Sequence, residues 1–174
     1  MIELRNVVVA YESRVILDSI NLTIDDGETL VILGGSGSGK STLLRLLIGL
    51  QRPTSGQIIV DGTDITTLSE DEFNTVRRKM GMVFQYSALF DSMSVGENVA
   101  FGLRQHTDLG DDEIRRIVAE RLDWVGLKGY ESYMPNELSG GMKKRVSLAR
   151  AIALDPSLIL YDEPSSGLDP ITSG

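Results

Sequence analysis

The chain has 174 residues, of which 41% are hydrophobic, and its 17 basic and 25 acidic side chains give a formal net charge of −8. This length and composition predict one globular domain with a real core, while the acidic balance argues against binding to nucleic acid or to an anionic membrane surface. The sequence contains no cysteine, which excludes disulfides and thiolate metal sites and makes a reducing cytosol the natural compartment.

Strands dominate the first 33 residues. Segments 4–10, 20–24 and 29–33 are rich in β-branched residues or alternate between apolar and polar side chains, and Asp25-Asp26-Gly27 has the composition of a turn. The N-terminus lacks the basic flank and the long apolar stretch of a signal peptide. The sequence therefore predicts a β-rich N-terminal portion.

A glycine-rich loop follows the third predicted strand. Residues 34–41 match the phosphate-binding pattern G-x-x-x-x-G-K-[ST] at every position, and an apolar helical segment continues from 42 to 48. In such a loop the backbone N–H groups converge on phosphate oxygens, the lysine reaches the β- and γ-phosphates, and the last hydroxyl binds Mg²⁺. A flexible Gly/Ser linker would need neither the Lys-Ser pair nor a flanking strand and helix. We therefore expect a nucleoside triphosphate to bind at Gly34, Gly35, Ser36, Gly37, Ser38, Gly39, Lys40, Ser41 and Thr42.

The rest of the chain alternates between helices and apolar strands. Three more strands are predicted, at 57–60, 81–84 and 157–161, the last of them buried. Three more helices are predicted, one beginning at Ser69, one spanning 111–125 and one running from Ser139 to about 154. This alternation is typical of an α/β sheet.

Two carboxylates follow the last predicted strand. In phosphate-loop enzymes an acidic residue at the end of such a strand holds the Mg²⁺ shell, and we assign this role to Asp162. The adjacent Glu163 is placed to orient or deprotonate the attacking water. A strand that ends in Asp-Glu is common in itself, and it is the complete glycine-rich loop that favours a functional interpretation.

The segment Leu138-Ser139-Gly140-Gly141-Met142 precedes a basic helix. Alone it is an ordinary helix start, with a serine N-cap and flexible glycines. Together with the preceding motifs it resembles the L-S-G-G-Q signature of ABC-transporter ATPases, with Met142 in place of the glutamine. Further features occur in that family's order: Tyr11 resembles the aromatic that stacks on adenine, Val15 its apolar companion, Gln85 the glutamine that senses Mg²⁺ and the γ-phosphate, and residues 166–169 the D-loop.

The resemblance covers the whole chain and implies a fold, cofactors and an assembly. The fold is an α/β P-loop NTPase of the ABC ATPase type, a single domain over 1–174 with a β-rich N-terminal subdomain and a helical signature subdomain at about 86–155. The cofactors are ATP and Mg²⁺, the metal held by Ser41, Gln85 and Asp162. Two copies pair head to tail, so that each ATP lies between Lys40 of one copy and Ser139, Gly140 and Gly141 of the other.

A narrower resemblance links the chain to the ATPase subunits of Mla-type phospholipid transporters. It rests on residues 84–93, on residues 102–107 and on the methionine in the signature. It implies lipid as cargo and a transmembrane permease as partner, docked near residues 86–90. The protein then lies in the cytoplasm, on the cytoplasmic face of the inner membrane, and touches the membrane only through the permease. An apolar Ala88-Leu89-Phe90 run suits a docking groove, although a satellite core cluster explains it equally well.

The resemblance also implies that the chain is C-terminally incomplete. The family's switch histidine follows the D-loop by a strand and a loop, whereas the single histidine, His106, precedes the signature and is predicted to lie on the surface. We therefore expect the 174-residue chain to be a fragment with weak or no ATP hydrolysis.

Two other functions compete with a transport ATPase. One is a soluble ABC-type ATPase of DNA repair or translation, which the uninterrupted cassette and the acidic charge disfavour. The other is a nucleotide-dependent dimerisation or regulatory module, which Glu163 disfavours because it supplies a hydrolytic base.

Overall fold

The computed structural model describes residues 1–12, 14–35 and 37–162, which divide into two units at the Arg77–Arg78 bond. Among these residues no helix has the length and apolar character needed to cross a membrane. Helices and strands occur together in the chain, as expected for the predicted α/β class. The predicted helical subdomain at about 86–155 remains a prediction.

The first unit is built on an antiparallel sheet with the order β2-β1-β3-β4. Its strands are β1 (Ile2–Tyr11), β2 (Arg14–Ile24), β3 (Ser55–Val60) and β4 (Thr63–Asp64). Strand β1 buries Ile2 and Leu4 and then Val7 and Val9, so the buried phase changes from even to odd residue numbers. The pairing register with β2 shifts between Leu4 and Val7, where β1 has one residue more than β2. This extra residue keeps Val7 and Val9 on the same buried face as Ile2 and Leu4.

Two helices accompany this sheet, α1 (Lys40–Leu47) and α2 (Glu70–Arg77). Helix α1 buries Leu43, Leu46 and Leu47, as the apolar segment at 42–48 predicts. The Arg77 guanidinium donates to the carbonyls of Ile48 (2.8 Å) and Gly49 (3.2 Å), just beyond the end of α1. A cation there compensates the negative end of the helix and fixes the helix that follows the glycine-rich loop.

The prediction of a strand at 29–33 is wrong. These residues have no regular secondary structure, and the exposed fractions reach 70% at Val31 and 87% at Leu33. A strand is stabilised by hydrogen bonds to a neighbouring strand, and no pairing of 29–33 is found among the described residues. Apolar composition alone therefore predicted a strand that has no partner here.

The second unit combines a parallel strand pair with three helices. The strands are β5 (Met80–Val83) and β6 (Leu158–Tyr161). The helices are α3 (Val95–His106), α4 (Asp111–Trp124) and α5 (Gly140–Ala151), with a short 3₁₀ turn at Pro135–Glu137. The helices form one core, to which α3 contributes Val95, Val99 and Leu103, α4 contributes Ile114, Val118 and Leu122, and α5 contributes Val146 and Ala149.

Three details of this unit differ from the sequence-based expectations. Helix α5 ends at Ala151 instead of about 154, and β6 is not fully buried, because Ile159 and Tyr161 are exposed. Only one strand, β5, pairs with β6 among the described residues, so the other hydrogen-bonding edge of β6 has no described partner strand. Helix α3 was not predicted, although Ser94 and Glu97 form a capping box that marks its start.

Asn98 is a fully buried polar residue of α3. Its Oδ1 accepts a hydrogen bond from the N–H of Phe90 (2.8 Å), and its Nδ2 donates to the carbonyls of Phe90 (3.1 Å), Met93 (3.1 Å) and Ser94 (3.0 Å). One side chain thus satisfies the backbone of the loop before α3.

The Asn98→Ala substitution should lower the free energy of unfolding by roughly 2–4 kcal/mol, because it leaves several buried backbone groups unpaired. The matched control is Asn136→Ala, which removes an exposed asparagine and should change stability by less than about 0.5 kcal/mol. Urea denaturation of both variants checks the difference. Equal stabilities would contradict this role for Asn98.

Candidate nucleotide-binding site

The glycine-rich loop at 34–41 folds around the lysine at its end. The Lys40 Nζ donates to the carbonyls of Gly34 (2.6 Å) and Gly35 (3.0 Å), and the N–H of Ser38 donates to the Gly35 carbonyl (3.3 Å). Helix α1 begins immediately after Gly39, which has φ 95° and provides no side-chain cap. The first-turn N–H groups of α1 lack partners within the helix and are available to an anion.

Two glycines of this loop make close contacts, and at Gly39 a φ of 95° adds a second reason for glycine. A Cβ on Gly34 would lie 2.5 Å from Ser38 Oγ, and a Cβ on Gly39 would lie 2.8 Å from Leu17 Cδ2 and 3.3 Å from the Ile16 carbonyl oxygen. The loop therefore packs against β2 at a distance that only glycine permits. By contrast, a Cβ on Gly35 would meet no atom within 4 Å.

The predicted adenine contacts lie at the end of the β1–β2 hairpin. Ala10 pairs with Val15 and Tyr11 with Arg14, and the side chains of Tyr11 and Val15 are 53% and 54% exposed. Val15 directly precedes Ile16, whose carbonyl lies beside Gly39. The structure thus brings the start of β2 next to the end of the glycine-rich loop and leaves an aromatic ring accessible there.

Gln85 and Asp162 lie at the same end of the β5–β6 pair. Val83 and Tyr161 are register partners, and the N–H of Asp162 donates to the Val83 carbonyl (3.0 Å). Gln85 follows Val83 by two residues, and both Gln85 and Asp162 are half-buried. The carboxyl ends of parallel strands are the usual location of ligand sites in α/β sheets.

The signature segment forms the N-terminus of α5. Ser139 is the N-cap, its Oγ accepts from the Met142 N–H (3.3 Å), and the helix begins at Gly140. Ser139, Gly140 and Gly141 are exposed, and a Cβ on either glycine would meet no atom within 4 Å. The start of this helix is therefore open to a ligand.

The two helices of the predicted site, α1 and α5, differ from the other α-helices of the described residues in the charge of their first turn. Neither α1 nor α5 has an acidic residue in its first turn. Helix α2 has Glu70, Asp71 and Glu72 there, α3 has Glu97, and α4 has Asp111, Asp112 and Glu113. An acidic first turn compensates the positive end of the helix dipole. In a chain of net charge −8, the uncompensated ends of α1 and α5 suit an external anion.

Ser36, Glu163 and the D-loop at 166–169 lie outside the described residues. Ser41 and Thr42 lie in the first turn of α1, where the hydroxyl of Ser41 is exposed. His106 is exposed at the end of α3, as predicted.

Residues 84–90, hereafter the 84–90 loop, contain the predicted docking segment. Tyr86 is 86% exposed and Phe90 41% exposed, whereas Leu89 packs against the helical core. Leu89 thus belongs to a core cluster, whereas Phe90 stays accessible and the docking groove remains a prediction. Phe90 also stacks on Phe101, with ring centroids 4.8 Å apart.

Sequence reasoning missed the side chains that fix this loop, Asn98 and Arg150. Arg150 donates from Nη1 to the Ala88 carbonyl (2.8 Å) and from Nη2 to the Ser87 carbonyl (3.0 Å). Burial lowers the pKa of Arg150, although the guanidinium remains charged. Arg150 has no local sequence signal for this role, because it acts on backbone groups 62 and 63 residues earlier in the chain. Asn98 acts on residues four to eight positions earlier, but it follows no capping or turn pattern that would predict this role.

Taken with its glycine-rich loop, this α/β structure defines the protein as a P-loop nucleotide-binding protein. The family model described as ABC transporter matches residues 17–166, and the chain belongs to that family. The ABC ATPase fold predicted from the sequence is confirmed by solved structures. The dimeric post-hydrolysis structure of the ATP-binding cassette MJ0796, bound to ADP and Pi, is 36% identical with a TM-score of 0.88, covering 98% of this chain and 77% of that one.

The curated relatives include transport ATP-binding proteins. The intermembrane phospholipid transport system ATP-binding protein MlaF of Haemophilus influenzae is 50% identical over 174 residues, which is 100% of this chain and 66% of that protein. The probable ribonucleotide transport ATP-binding protein mkl of Mycobacterium tuberculosis is 51% identical over 170 residues, covering 98% of this chain and 47% of that protein. The chain thus spans about two thirds of the first relative and about half of the second.

The Gly39→Ala substitution should destabilise the protein by about 1–3 kcal/mol, because the new methyl group meets Leu17 in a left-handed backbone conformation. Gly35→Ala is the matched control in the same loop and should change stability by less than about 0.5 kcal/mol, since the methyl group enters open space. Thermal unfolding of both variants measures the difference. A Gly39→Ala protein as stable as Gly35→Ala would contradict the observed packing of the loop on β2.

Proposed function

We propose that this chain is part of the ATP-hydrolysing subunit of an ABC transporter that moves phospholipid through a partner permease. The observation that carries the proposal is the pair of helix N-termini, α1 and α5, that begin at glycine-rich segments without acidic residues. The family assignment and the names of the relatives support the same function.

ATP binds with its triphosphate on the loop at 34–41 and with its adenine on Tyr11 and Val15. The Lys40 ammonium, which contacts the Gly34 and Gly35 carbonyls, lies where it can exchange those contacts for phosphate oxygens. An ammonium–phosphate contact is charge-assisted and is therefore stronger than a contact with a neutral carbonyl.

Mg²⁺ would accompany the nucleotide, and Ser41, Gln85 and Asp162 would hold it. Hydroxyl, amide and carboxylate oxygens are the hard donors that this cation prefers. The metal would neutralise charge on the β- and γ-phosphates. Glu163 accepts a proton from the attacking water, as expected of a carboxylate placed directly after the metal-binding aspartate.

A second copy completes the site. Ser139, Gly140 and Gly141 of that copy supply the N-terminus of α5 to the γ-phosphate, so that ATP joins the two copies and its hydrolysis separates them. The exposed start of α5 and the dimeric structures of a related cassette support this arrangement. Hydrolysis then proceeds mainly by electrostatic positioning in an interface from which water is excluded.

The permease docks on the 84–90 loop through Tyr86 and Phe90. The backbone of this loop is fixed by hydrogen bonds, so its large exposed aromatic side chains lose little conformational entropy on binding. This suits them to a protein interface. The ATPase lies at the cytoplasmic face of the inner membrane and contacts that membrane through the permease. No nucleic acid takes part, in keeping with the net charge of −8.

Phospholipid is the proposed cargo because the MlaF relatives are similar to this chain along its whole length. The name of the mycobacterial relatives points instead to ribonucleotides. Stimulation of ATP turnover by phospholipid in the reconstituted complex, and not by ribonucleotides, distinguishes the two cargoes.

The Glu163→Gln substitution in the full-length protein should retain ATP binding and reduce turnover by about 10²-fold or more, because the amide cannot accept the proton. ATP turnover with and without the permease, alongside equilibrium binding of ATP, measures both effects. If the permease does not change ATP turnover by the unsubstituted protein, a soluble ATPase is favoured. ATP binding without any turnover would favour a regulatory module.

A further inference from the structure

Helix α5 connects two sites that the proposed function treats separately. Its N-terminus presents Ser139, Gly140 and Gly141 to ATP, and its last turn carries Arg150. Arg150 lies ten positions after Gly140, which corresponds to about 15 Å along a helix axis. Because hydrogen bonds connect each turn of a helix to the next, such a helix moves as a rigid body.

The two ends of α5 differ in what they contact. Whereas the first end is exposed, the second is attached to the 84–90 loop: the Arg150 guanidinium donates to the carbonyls of Ser87 and Ala88 and lies 5.8 Å from the centre of the Phe90 ring. A guanidinium donates two parallel bonds in a fixed plane, so it fixes both the position and the orientation of the two peptide groups.

The backbone that Arg150 contacts has an uncommon conformation. Ser87 and Ala88 have φ values of 64° and 46°, although neither is glycine. Non-glycine residues adopt this left-handed region at an energetic cost and remain there only when surrounding contacts fix them. In this segment the Tyr86 side chain is 86% exposed, whereas Ser87 is 5% exposed.

We propose that Arg150 couples the ATP-contacting end of α5 to the 84–90 loop, so that closure of the ATP site repositions Tyr86 and Phe90 against the permease. This inference rests on the proposed function and adds to it a positioning residue that touches neither nucleotide nor permease. The second anchor of the loop, Asn98, belongs to α3 and holds residues 90–94. Because α3 and α5 share one core, the two anchors make the loop follow this group of helices, and Arg150 is the anchor that belongs to the ATP-contacting helix.

The chain offers a matched control on the same helix. Arg145 also donates to two backbone carbonyls, those of Val125 (3.1 Å) and Gly126 (3.2 Å), which follow the end of α4. The Arg145→Ala substitution thus removes the same charge and the same kind of contact from α5 while leaving the hydrogen bonds to Ser87 and Ala88 in place.

The test compares Arg150→Ala, Arg150→Lys and Arg145→Ala in the full-length ATPase. In Arg150→Ala, stimulation of ATP turnover by the permease should fall by about 10-fold, while permease-free turnover and the KM for ATP stay within about 2-fold of the unsubstituted protein. Arg150→Lys keeps the charge but lacks the rigid planar set of donors, so it should retain partial stimulation, and it serves if the alanine variant does not fold. Arg145→Ala should retain full stimulation.

Hydrogen exchange separates coupling from simple support of the loop. In the unsubstituted protein, ATP should change the exchange rates of the amides at 86–90. If Arg150 only supports the loop, its substitution should speed exchange at 86–90 but preserve the difference in exchange rate between ATP-bound and free protein. If Arg150 couples the two sites, this difference should disappear in the variant.

Three outcomes overturn the inference. The first is full permease stimulation in a folded Arg150→Ala protein. The second, which applies if the alanine variant does not fold, is full permease stimulation in Arg150→Lys. The third is an ATP-dependent difference in exchange at 86–90 that persists in whichever variant folds. Each of them leaves the proposed function intact. If the unsubstituted full-length protein fails to hydrolyse ATP at all, the proposed function itself is contradicted.

Discussion

Binding of the ATP phosphates depends on how this acidic chain distributes negative charge around its helix N-termini. Three α-helices place carboxylates in the first turn, where they compensate the helix dipole, and the two that begin at glycines of the predicted site do not. An acidic residue at either of these two ends would stabilise the isolated helix and repel a phosphate. Their absence therefore costs stability and leaves backbone N–H groups for an anion.

The remainder of the structure fixes these helix ends in position. The close approach of Gly39 to Leu17 attaches the start of α1 to β2, and Arg77 caps its other end through the carbonyls of Ile48 and Gly49. Helix α5 is held by its buried residues and by arginines that donate to carbonyls of neighbouring segments. Both helices thus present a free N-terminus from a body fixed elsewhere, which is the preorganisation that electrostatic catalysis requires.

Local motifs could be predicted from the sequence, whereas contacts between distant segments could not. The glycine-rich loop and the Ser139 cap are recognisable because neighbouring residues determine them. The strand predicted at 29–33 was wrong because a strand depends on a partner elsewhere in the chain. Helix α3 carried readable signals that were missed, namely the Ser94–Glu97 capping box and the helical spacing of Val95, Val99 and Leu103. The role of Arg150 had no local signal, since it satisfies backbone groups 62 and 63 residues earlier in the chain.

The most direct test of the central claim introduces a carboxylate at the start of α5. In a full-length protein that carries Glu163→Gln to slow hydrolysis, addition of MgATP should convert monomers to dimers in analytical ultracentrifugation. A further Gly141→Asp substitution has open space around its side chain and does not strain the monomer. It should abolish this dimer while ATP affinity of the monomer changes by less than about 2-fold, because the added charge repels the phosphate only across the interface. A dimer that persists undiminished with Asp at that position would contradict the claim that the α5 N-terminus binds the phosphate of ATP.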